Sequence, residues 1–512
     1  MRLSGDFVKM DLQRITEPEL VFGGGECTRD PKVGLTQYGP VGSRPAQTIP
    51  VSVGLVCVPD QAPAILSWIR RLSALQIDTE RNALKFPAYP GSDQAFRANF
   101  EIEDRFIRPI SQARLDLAFA EPESARIDAV LGLYIEAIQS LFVDGGPRAI
   151  VVHFPEPVAS LRTHNPRLSY QEQRLLQWLQ EEDTNQQMGL FDDFSAEERK
   201  AAAELFPQAD ELLFRSFYRV LKARSMNLPN AVPTQIIREH TYTDTPTTQG
   251  PATKAWNFGA ALFYKSTAIP WRPAALTPGT CYVGVTFHHL KRRSGGIVYA
   301  SLAQALSSET EPFALRGAML DKDQRKGKQP FLTAEQAEGL MTRVLKQYRL
   351  QTGMLPNRLV VHKTSTYQPE EVEGIQSGLN GTVPLIDLVW LRPTGLRLIR
   401  RGDIEPERGT MVTLEGERTY LYTTGYIPWW KEYPGPHIPA PLELGQESDS
   451  DVTDIGKEIL ALTKMNWNSA DGIGRHPITL SFARQVGTIM TEIDTTDDEG
   501  ESQINPLYRF YM

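Results

Sequence analysis

Residues Trp256–Arg272 (WNFGAALFYKSTAIPWR) and, after a short Pro-rich link, Cys281–Phe287 (CYVGVTF) decide how the rest of the chain is read. The first run has helical spacing. Phe258, Leu262 and Phe263 recur at i, i+4 and i+5, while Gly259, Ala260 and Ala261 permit close packing. Ile269-Pro270 ends it, because proline cannot continue a helix and biases its predecessor toward extended geometry. Cys281–Phe287 is a run of β-formers and reads as a buried strand. Lys265 sits at a polar step in the last helical turn. Helix, fixed bend and central strand together read as a hinge between two α/β units.

The chain has 512 residues, room for two to four domains at roughly 150 residues each. Hydrophobic residues at 41% and charged residues at 23% are a globular composition. No run of about 20 apolar residues exists to span a membrane, and Met1–Glu19 has mixed charge with no apolar core, unlike a signal peptide. Cys27, Cys57 and Cys281 are too far apart for a zinc site or a disulfide framework, which suggests a reducing cytoplasm. The formal net charge of −8 argues against a general nucleic-acid coat. The distribution is uneven, however: residues 214–272 carry eight Lys/Arg against two acids, a balance compatible with a confined phosphate site.

Along the chain, residues 1–50 are rich in Gly and Pro and read as a linker-like segment. Gly23-Gly24-Gly25 lacks the Gly-Lys-Ser/Thr ending of a phosphate loop. Strands at 51–58 and 149–154 alternate with helices at 62–75 and 125–142, the pattern of a parallel α/β sheet. Residues 165–210 are polar and helix-prone and read as an insertion or partner-facing lobe. A helix over 211–225 and a strand over 233–237 follow. Beyond the 281–287 strand come β-like 297–302 and 312–320, a helix from the Thr333/Gln336 capping box to Leu350, a strand at 358–362 and a helix at 369–379. Strands at 385–391, 396–400 and 411–424 precede helices at 451–464 and 478–490. Antiparallel strands first and α/β units after is the order of an RNase H-like fold.

Tyr218 and Lys222 are four apart on one predicted helix face; Gln235 begins the next strand and Lys265 ends the hinge helix. Lysine supplies a point charge and three donors, glutamine an amide donor, tyrosine a hydroxyl and a stacking face. Together they suit a terminal nucleotide monophosphate whose base stacks on the ring; the plain alternative is a solvated Lys/Tyr face. His288 and His289, adjacent on a strand, point to opposite faces and do not jointly chelate a metal. Basic clusters at Lys291-Arg292-Arg293, Arg325-Lys326-Lys328 and Arg397-Arg400-Arg401 could track a nucleic-acid backbone, or be ordinary charged surface.

The phrase Asn257…Lys265…Ile269-Pro270-Trp271-Arg272 resembles the end of the MID domain of Argonaute proteins, and Tyr282–Thr286 (YVGVT) resembles their first PIWI strand. The resemblance runs from about Val21 to Met512. It implies an α/β chain with a Rossmann-like MID domain at 51–275, interrupted at about 165–210, followed by an RNase H-like PIWI domain at 276–512. It also implies that Tyr218, Lys222, Gln235 and Lys265, with Asn257 beside them, hold the 5′-phosphate of a guide. In some relatives the C-terminal carboxylate, here carried by Met512, binds a Mg²⁺ ion in that pocket. Cleaving relatives carry carboxylates where this chain has Thr286 and Thr364, and a hydroxyl does not hold Mg²⁺ as a carboxylate does.

The expectation is therefore a short prokaryotic Argonaute, cytoplasmic and without slicing activity. It would bind a 5′-phosphorylated guide RNA and recognise single-stranded DNA of a plasmid or phage. It would activate an APAZ-containing effector partner (a TIR or sirtuin-like NAD⁺ hydrolase, or a nuclease), as a heterodimer that oligomerises on target binding. The alternative is a metal-dependent RNase H-like nuclease using Asp321, Asp323 and Asp387. A third reading is a purely structural subunit.

Overall fold

The computed structural model describes residues 10–44, 47–79, 82–142, 145–164, 214–243, 249–291, 297–307, 311–320, 325–326, 329–398, 402, 405–414, 418–435, 438–448, 450–490, 492–493 and 505–512. The expected insertion at 165–210 lies outside them. So do Asp321 and Asp323, Arg292 and Arg293, Lys328, Arg400 and Arg401, and the side chains of His288, His289, Lys291, Arg325 and Lys326.

The linker-like expectation for residues 1–50 is corrected. β1 (Met10–Arg14) is an edge strand, antiparallel to Thr410–Leu414. α1 (Pro31–Tyr38) starts where the Asp30 carboxylate accepts the Lys32 and Val33 amides at 2.8 and 3.3 Å, with proline in the first turn. Between the two, Glu17 is buried against Arg408 and Lys464, each 2.9 Å away. Burial alone would raise its carboxyl pKa; the two cations outweigh burial and hold it below the ordinary value.

β2 (Ile49–Cys57) is the centre of a five-stranded parallel sheet. β3 (Ala98–Glu101) and β4 (Ile107–Pro109) pair with successive parts of it, β5 (Ala149–Phe154) lies beside it, and β6 (Thr234–Arg238) lies beyond β5. Every residue of β5 is buried, as in a strand covered on both faces. α2 (Ala62–Arg71), α3 (Glu123–Gln139) and α4 (Phe217–Ser225) belong to this half. α4 starts later than the expected residue 211, because Phe214–Ser216 is extended and pairs with Arg162–His164.

α5 (Pro251–Ser266) begins a turn and more before the run that announced it. Proline is tolerated in its first turn, and the Asp78 carboxylate caps the amides of Ala252 and Thr253 at 2.6 and 3.0 Å. Fourteen of its 16 residues are buried, the mark of a helix enclosed on all sides. The bend after it is pinned rather than loose. Trp271 Nε1 donates to the Lys464 carbonyl at 2.9 Å, and Trp467 Nε1 donates to the Trp271 carbonyl at 3.2 Å.

The second half is a nine-stranded sheet. β7 (Thr280–Lys291), β8 (Ile297–Leu306) and β9 (Phe313–Leu320) are antiparallel neighbours. α6 (Ala334–Thr352) carries the expected capping box, with Thr333 and Gln336 exchanging hydrogen bonds of 3.1 and 3.2 Å. β10 (Arg358–Lys363) runs parallel to β7; α7 (Pro369–Leu379) leads to β11 (Leu385–Pro393), parallel to β10. β12 (Thr410–Leu414), β13 (Arg418–Leu421) and β14 (Leu442–Glu447) complete the sheet to β1. Residues 411–424 are thus the two arms of an antiparallel pair rather than one β run. Leu396–Leu398, expected as part of a strand, is irregular. β14 was hidden by its acidic residues; Glu443 pairs with Arg392 at 3.1 Å.

Cys281, Val283 and Val285 point to one face with α6 and α7, while Tyr282 points to the other with α8 (Val452–Leu462) and α9 (Ile478–Met490). Gly284 is required here: a Cβ would lie 2.0 Å from the Thr479 carbonyl oxygen of α9. No described helix is long and apolar enough to cross a membrane. The three cysteines are free.

The Glu17 cluster gives a direct test of the N-terminal arm. Removing one partner of a buried charge group costs about 3–5 kcal/mol, because the other charges stay buried and uncompensated. Glu17→Gln should therefore lower unfolding stability by about 3 kcal/mol in urea titrations, whereas Gln13→Ala on the exposed edge strand should leave it nearly unchanged.

Candidate nucleic-acid interface

α4, β6 and α5 bring four of the expected residues together. Lys222, 1% exposed, projects from α4 and donates to the Thr234 carbonyl of β6 at 2.6 Å and to a main-chain oxygen of Met512. Its ammonium lies 5.8 Å from the centre of the Tyr218 ring, one helical turn back. Lys265, 2% exposed at the end of α5, donates to Gln235 Oε1 at 2.6 Å. Gln235 in turn donates to the Ile236 carbonyl at 3.2 Å.

Burial disfavours an ammonium. It pushes the Lys265 pKa down to about 7. Burial, and then the neighbouring Lys265 charge, push Lys222 well below the ordinary lysine value. Burial raises the Tyr218 phenol, against opposing effects of Gln485 and Arg238. Each ammonium has three N–H donors. Lys222 uses two and Lys265 one, so three remain without an acceptor among the described residues.

Three other buried lysines differ. Lys363 has both carboxylate oxygens of Glu371 at 2.6 Å, Lys464 has Glu17 at 2.9 Å, and Lys32 has Asp471 at 2.8 Å. Neither Lys222 nor Lys265 faces an aspartate or glutamate among the described residues.

Asn257 stands elsewhere. It is eight residues, or about 12 Å along the helix, from Lys265, and its Oδ1 accepts from Ser469 Oγ at 3.1 Å and from the Ala470 amide at 3.0 Å. It ties α5 to the second half and is not brought to the lysine cluster. Sequence reasoning missed Gln485. It reaches in from α9, donating to the Tyr511 carbonyl at 3.1 Å and, at 3.5 Å, toward the Tyr218 hydroxyl. Nothing in the sequence set it apart from Thr479, Ser481, Arg484 and Thr488 on the same helix.

Val285 of β7 and Lys363 of β10 are the last pair of their parallel ladder, and Thr286 and Thr364 are the residues that follow it in the sequence. Thr286 is half-buried and Thr364 exposed. Asp387 pairs with Val360, four residues or about 13 Å back along the sheet from Thr364. It is buried, with Arg358 Nε 2.5 Å from its carboxylate; Arg358 also reaches Glu458 at 2.5 Å. Asp387 is thus committed to a structural ion cluster away from the threonines. Among the described residues no three His, Cys, Asp or Glu side chains group to hold a metal.

No protein-family model and no curated protein matches the chain. Solved structures do. Clostridium butyricum Argonaute, bound to a guide DNA and a 19-mer target DNA, is similar with a TM-score of 0.57 and 12% identity, over 94% of this chain and 53% of that one. Drosophila Piwi is similar at 0.56 and 13%, over 94% and 54%. A. aeolicus Argonaute is similar at 0.52 and 12%, over the same shares. The chain therefore has the fold of the MID–PIWI part of Argonaute and Piwi proteins, Rossmann-like then RNase H-like. It spans about half the length of those chains.

The depressed Lys265 pKa has a measurable sign. Between about pH 7 and the ordinary lysine value, the unfolded chain holds a proton here that the folded chain does not. Stability from this group therefore rises with pH across that window, by about 1.4 kcal/mol per pH unit. Lys265→Met should flatten the rise in unfolding free energy between pH 7 and 9 relative to the unsubstituted protein. A variant with the same slope would show that Lys265 is charged in the folded state.

Proposed function

We propose that this chain is the guide-binding Argonaute subunit of a prokaryotic immune system, of the short MID–PIWI type. It holds a guide RNA by its 5′-phosphate and recognises complementary single-stranded DNA of a plasmid or phage without cutting it. Recognition switches on an APAZ-containing partner whose TIR domain, sirtuin-like NAD⁺ hydrolase or nuclease delivers the output. The observation that carries this reading is the pair of buried lysines with no aspartate or glutamate partner among the described residues, converging beside Tyr218 and Gln235. A dianionic phosphate supplies the missing charge and the missing acceptors together. Clostridium butyricum Argonaute, similar in fold, holds a guide and a target.

A Mg²⁺ ion fits this pocket poorly. It seeks several oxygen ligands, usually including carboxylates, and the Met512 oxygen it would use already accepts from the Lys222 ammonium. Lys222 and Lys265 therefore do the neutralising in this reading, and phosphate preference should persist in EDTA.

Hydrogen bonds to charged groups contribute about 1.5–3 kcal/mol, and about 1.4 kcal/mol is tenfold in affinity. Lys222→Ala or Lys265→Ala should weaken a 5′-phosphorylated guide by about 10- to 100-fold and a 5′-hydroxyl guide far less. Dissociation constants for guides differing only at the 5′ end, at one salt concentration, decide it. An intact phosphate preference in the double variant would refute the pocket.

The non-cleaving part of the reading rests on threonines rather than carboxylates at positions 286 and 364, just past the last β7–β10 pair, with Asp387 engaged elsewhere. Protein loaded with a matched guide should leave a labelled target strand whole in Mg²⁺ or Mn²⁺. Cleavage abolished by Asp387→Asn would establish the nuclease alternative instead.

A further inference from the structure

A cavity of about 560 Å³ opens where the two halves meet, lined from the first half by Lys85 and Phe86 and from the second by, among others, Arg397, Trp430, Tyr433 and Arg475. Its size falls within the roughly 300–1,000 Å³ of small-molecule sites. It stands at the carboxyl end of the parallel strands. Pro393 ends β11 opposite Leu442, Leu442 pairs with Leu421, and the lining loops leave from these residues. That end is where ligands bind in open α/β sheets.

The walls are fixed. Asn82 donates to the Trp430 carbonyl at 2.9 Å and to Glu432 at 2.6 Å, and Lys85 pairs with Glu432 at 2.9 Å. Trp430 is buried and donates to Asp30 at 2.7 Å. Inside, Phe86 and Tyr433 present half-buried rings. Tyr433 lies over Gly435 so closely that a Cβ there would sit 2.2 Å from its hydroxyl. Arg397 and Arg475 line the same cavity as Tyr433; burial and Glu405 raise the pKa of its hydroxyl, and the two guanidiniums oppose the rise. Both arginines are exposed, and neither pairs with a carboxylate among the described residues.

We propose that this cavity binds one unpaired nucleotide, its base against Tyr433 and Phe86 and its phosphate on Arg397 and Arg475. Aromatic faces with arginines at the rim suit that chemistry: stacking accepts any base, and a guanidinium fork matches phosphate oxygens. The site is separate from the Lys222–Lys265 pocket and does not depend on the guide reading. The nucleotide is either free or part of a single strand.

Calorimetric titrations test this with AMP, inorganic phosphate and the 5′-hydroxyl dinucleotide ApA, on the unsubstituted protein and on Lys222→Ala/Lys265→Ala. AMP should bind saturably to both proteins, with phosphate at least about tenfold weaker for want of stacking. Arg475→Ala and Tyr433→Leu should each weaken AMP by about tenfold. ApA binding as well as AMP identifies a strand as the source; AMP binding alone identifies a free nucleotide. No saturable binding of either overturns the proposal, as does AMP no tighter than phosphate, or affinity unmoved by Arg475→Ala and Tyr433→Leu. Loss of all AMP binding in the double lysine variant, with its fold intact by circular dichroism, also overturns it. If that variant does not fold, the Arg475→Ala and Tyr433→Leu titrations decide.

Discussion

The rest of the molecule depends on the burial of α5 on every side. A surface helix needs one apolar stripe; the 14 buried residues of this one pack against β5 and β6 of the first sheet and against the C-terminal turn at Tyr508–Phe510. Its polar members are satisfied within the fold. Asp78 caps its first turn, Lys254 donates to the Thr243 carbonyl at 2.9 Å, and Asn257 accepts from the second half. Tyr264 packs on Trp467 and Tyr508, with ring centres 4.6 and 5.7 Å away. A lysine at a helix end normally runs its stem along apolar surface and leaves its charge in water. Enclosure of α5 denies Lys265 that exit, and this is what turns an ordinary terminal lysine into a buried one.

The same enclosure makes the pocket a joint product of both halves. Tyr218, Lys222, Gln235 and Lys265 come from the first half, while Gln485 and Met512 arrive from the second. The last residues are held on the way in. Leu507 bridges to Phe313, Arg509 meets Glu311 at 2.5 and 2.6 Å, and Tyr511 donates to the Asn505 carbonyl at 2.7 Å. Glu311 also accepts from Tyr264 of α5 at 3.2 Å. A shift of either half against the other must therefore move an oxygen at Lys222. The junction that looked like a hinge in the sequence is a clamp.

Much of this was legible in the residues, and the failures have physical reasons. Spacing announced α5, α7, α9 and β5 because their apolar periods are strong and their ends are marked by proline, glycine or a cap. The N-terminal arm was missed because β1 has every side chain exposed, so no alternation betrays it, and because glycines overshadowed the Asp30-Pro31 start of α1. β14 was lost among acids. At the pocket, chain order and residue type brought out Tyr218, Lys222, Gln235 and Lys265, yet nothing in the sequence separated their burial from that of any solvated lysine. Asn257 was drawn to the group by the resemblance alone. On a helix, eight residues is more than two turns, and its partners lie across the junction instead.

The choice of lysine rather than arginine at both buried positions has a consequence. Arginine keeps its charge at any pH a protein meets, so two guanidiniums enclosed without an anion would face the full cost of burial and mutual repulsion. Lysine can release its proton, and the depression of Lys265 to about 7 shows how near that release lies. Lys363 and Lys464 lie opposite a fixed side-chain carboxylate. Lys222 and Lys265 have no aspartate or glutamate among the described residues, only carbonyl and amide oxygens and the main-chain oxygen of Met512. Under the guide reading proposed above, a pocket so made would tolerate being empty by losing charge and regain it beside a phosphate, and a pair of arginines would forfeit that property.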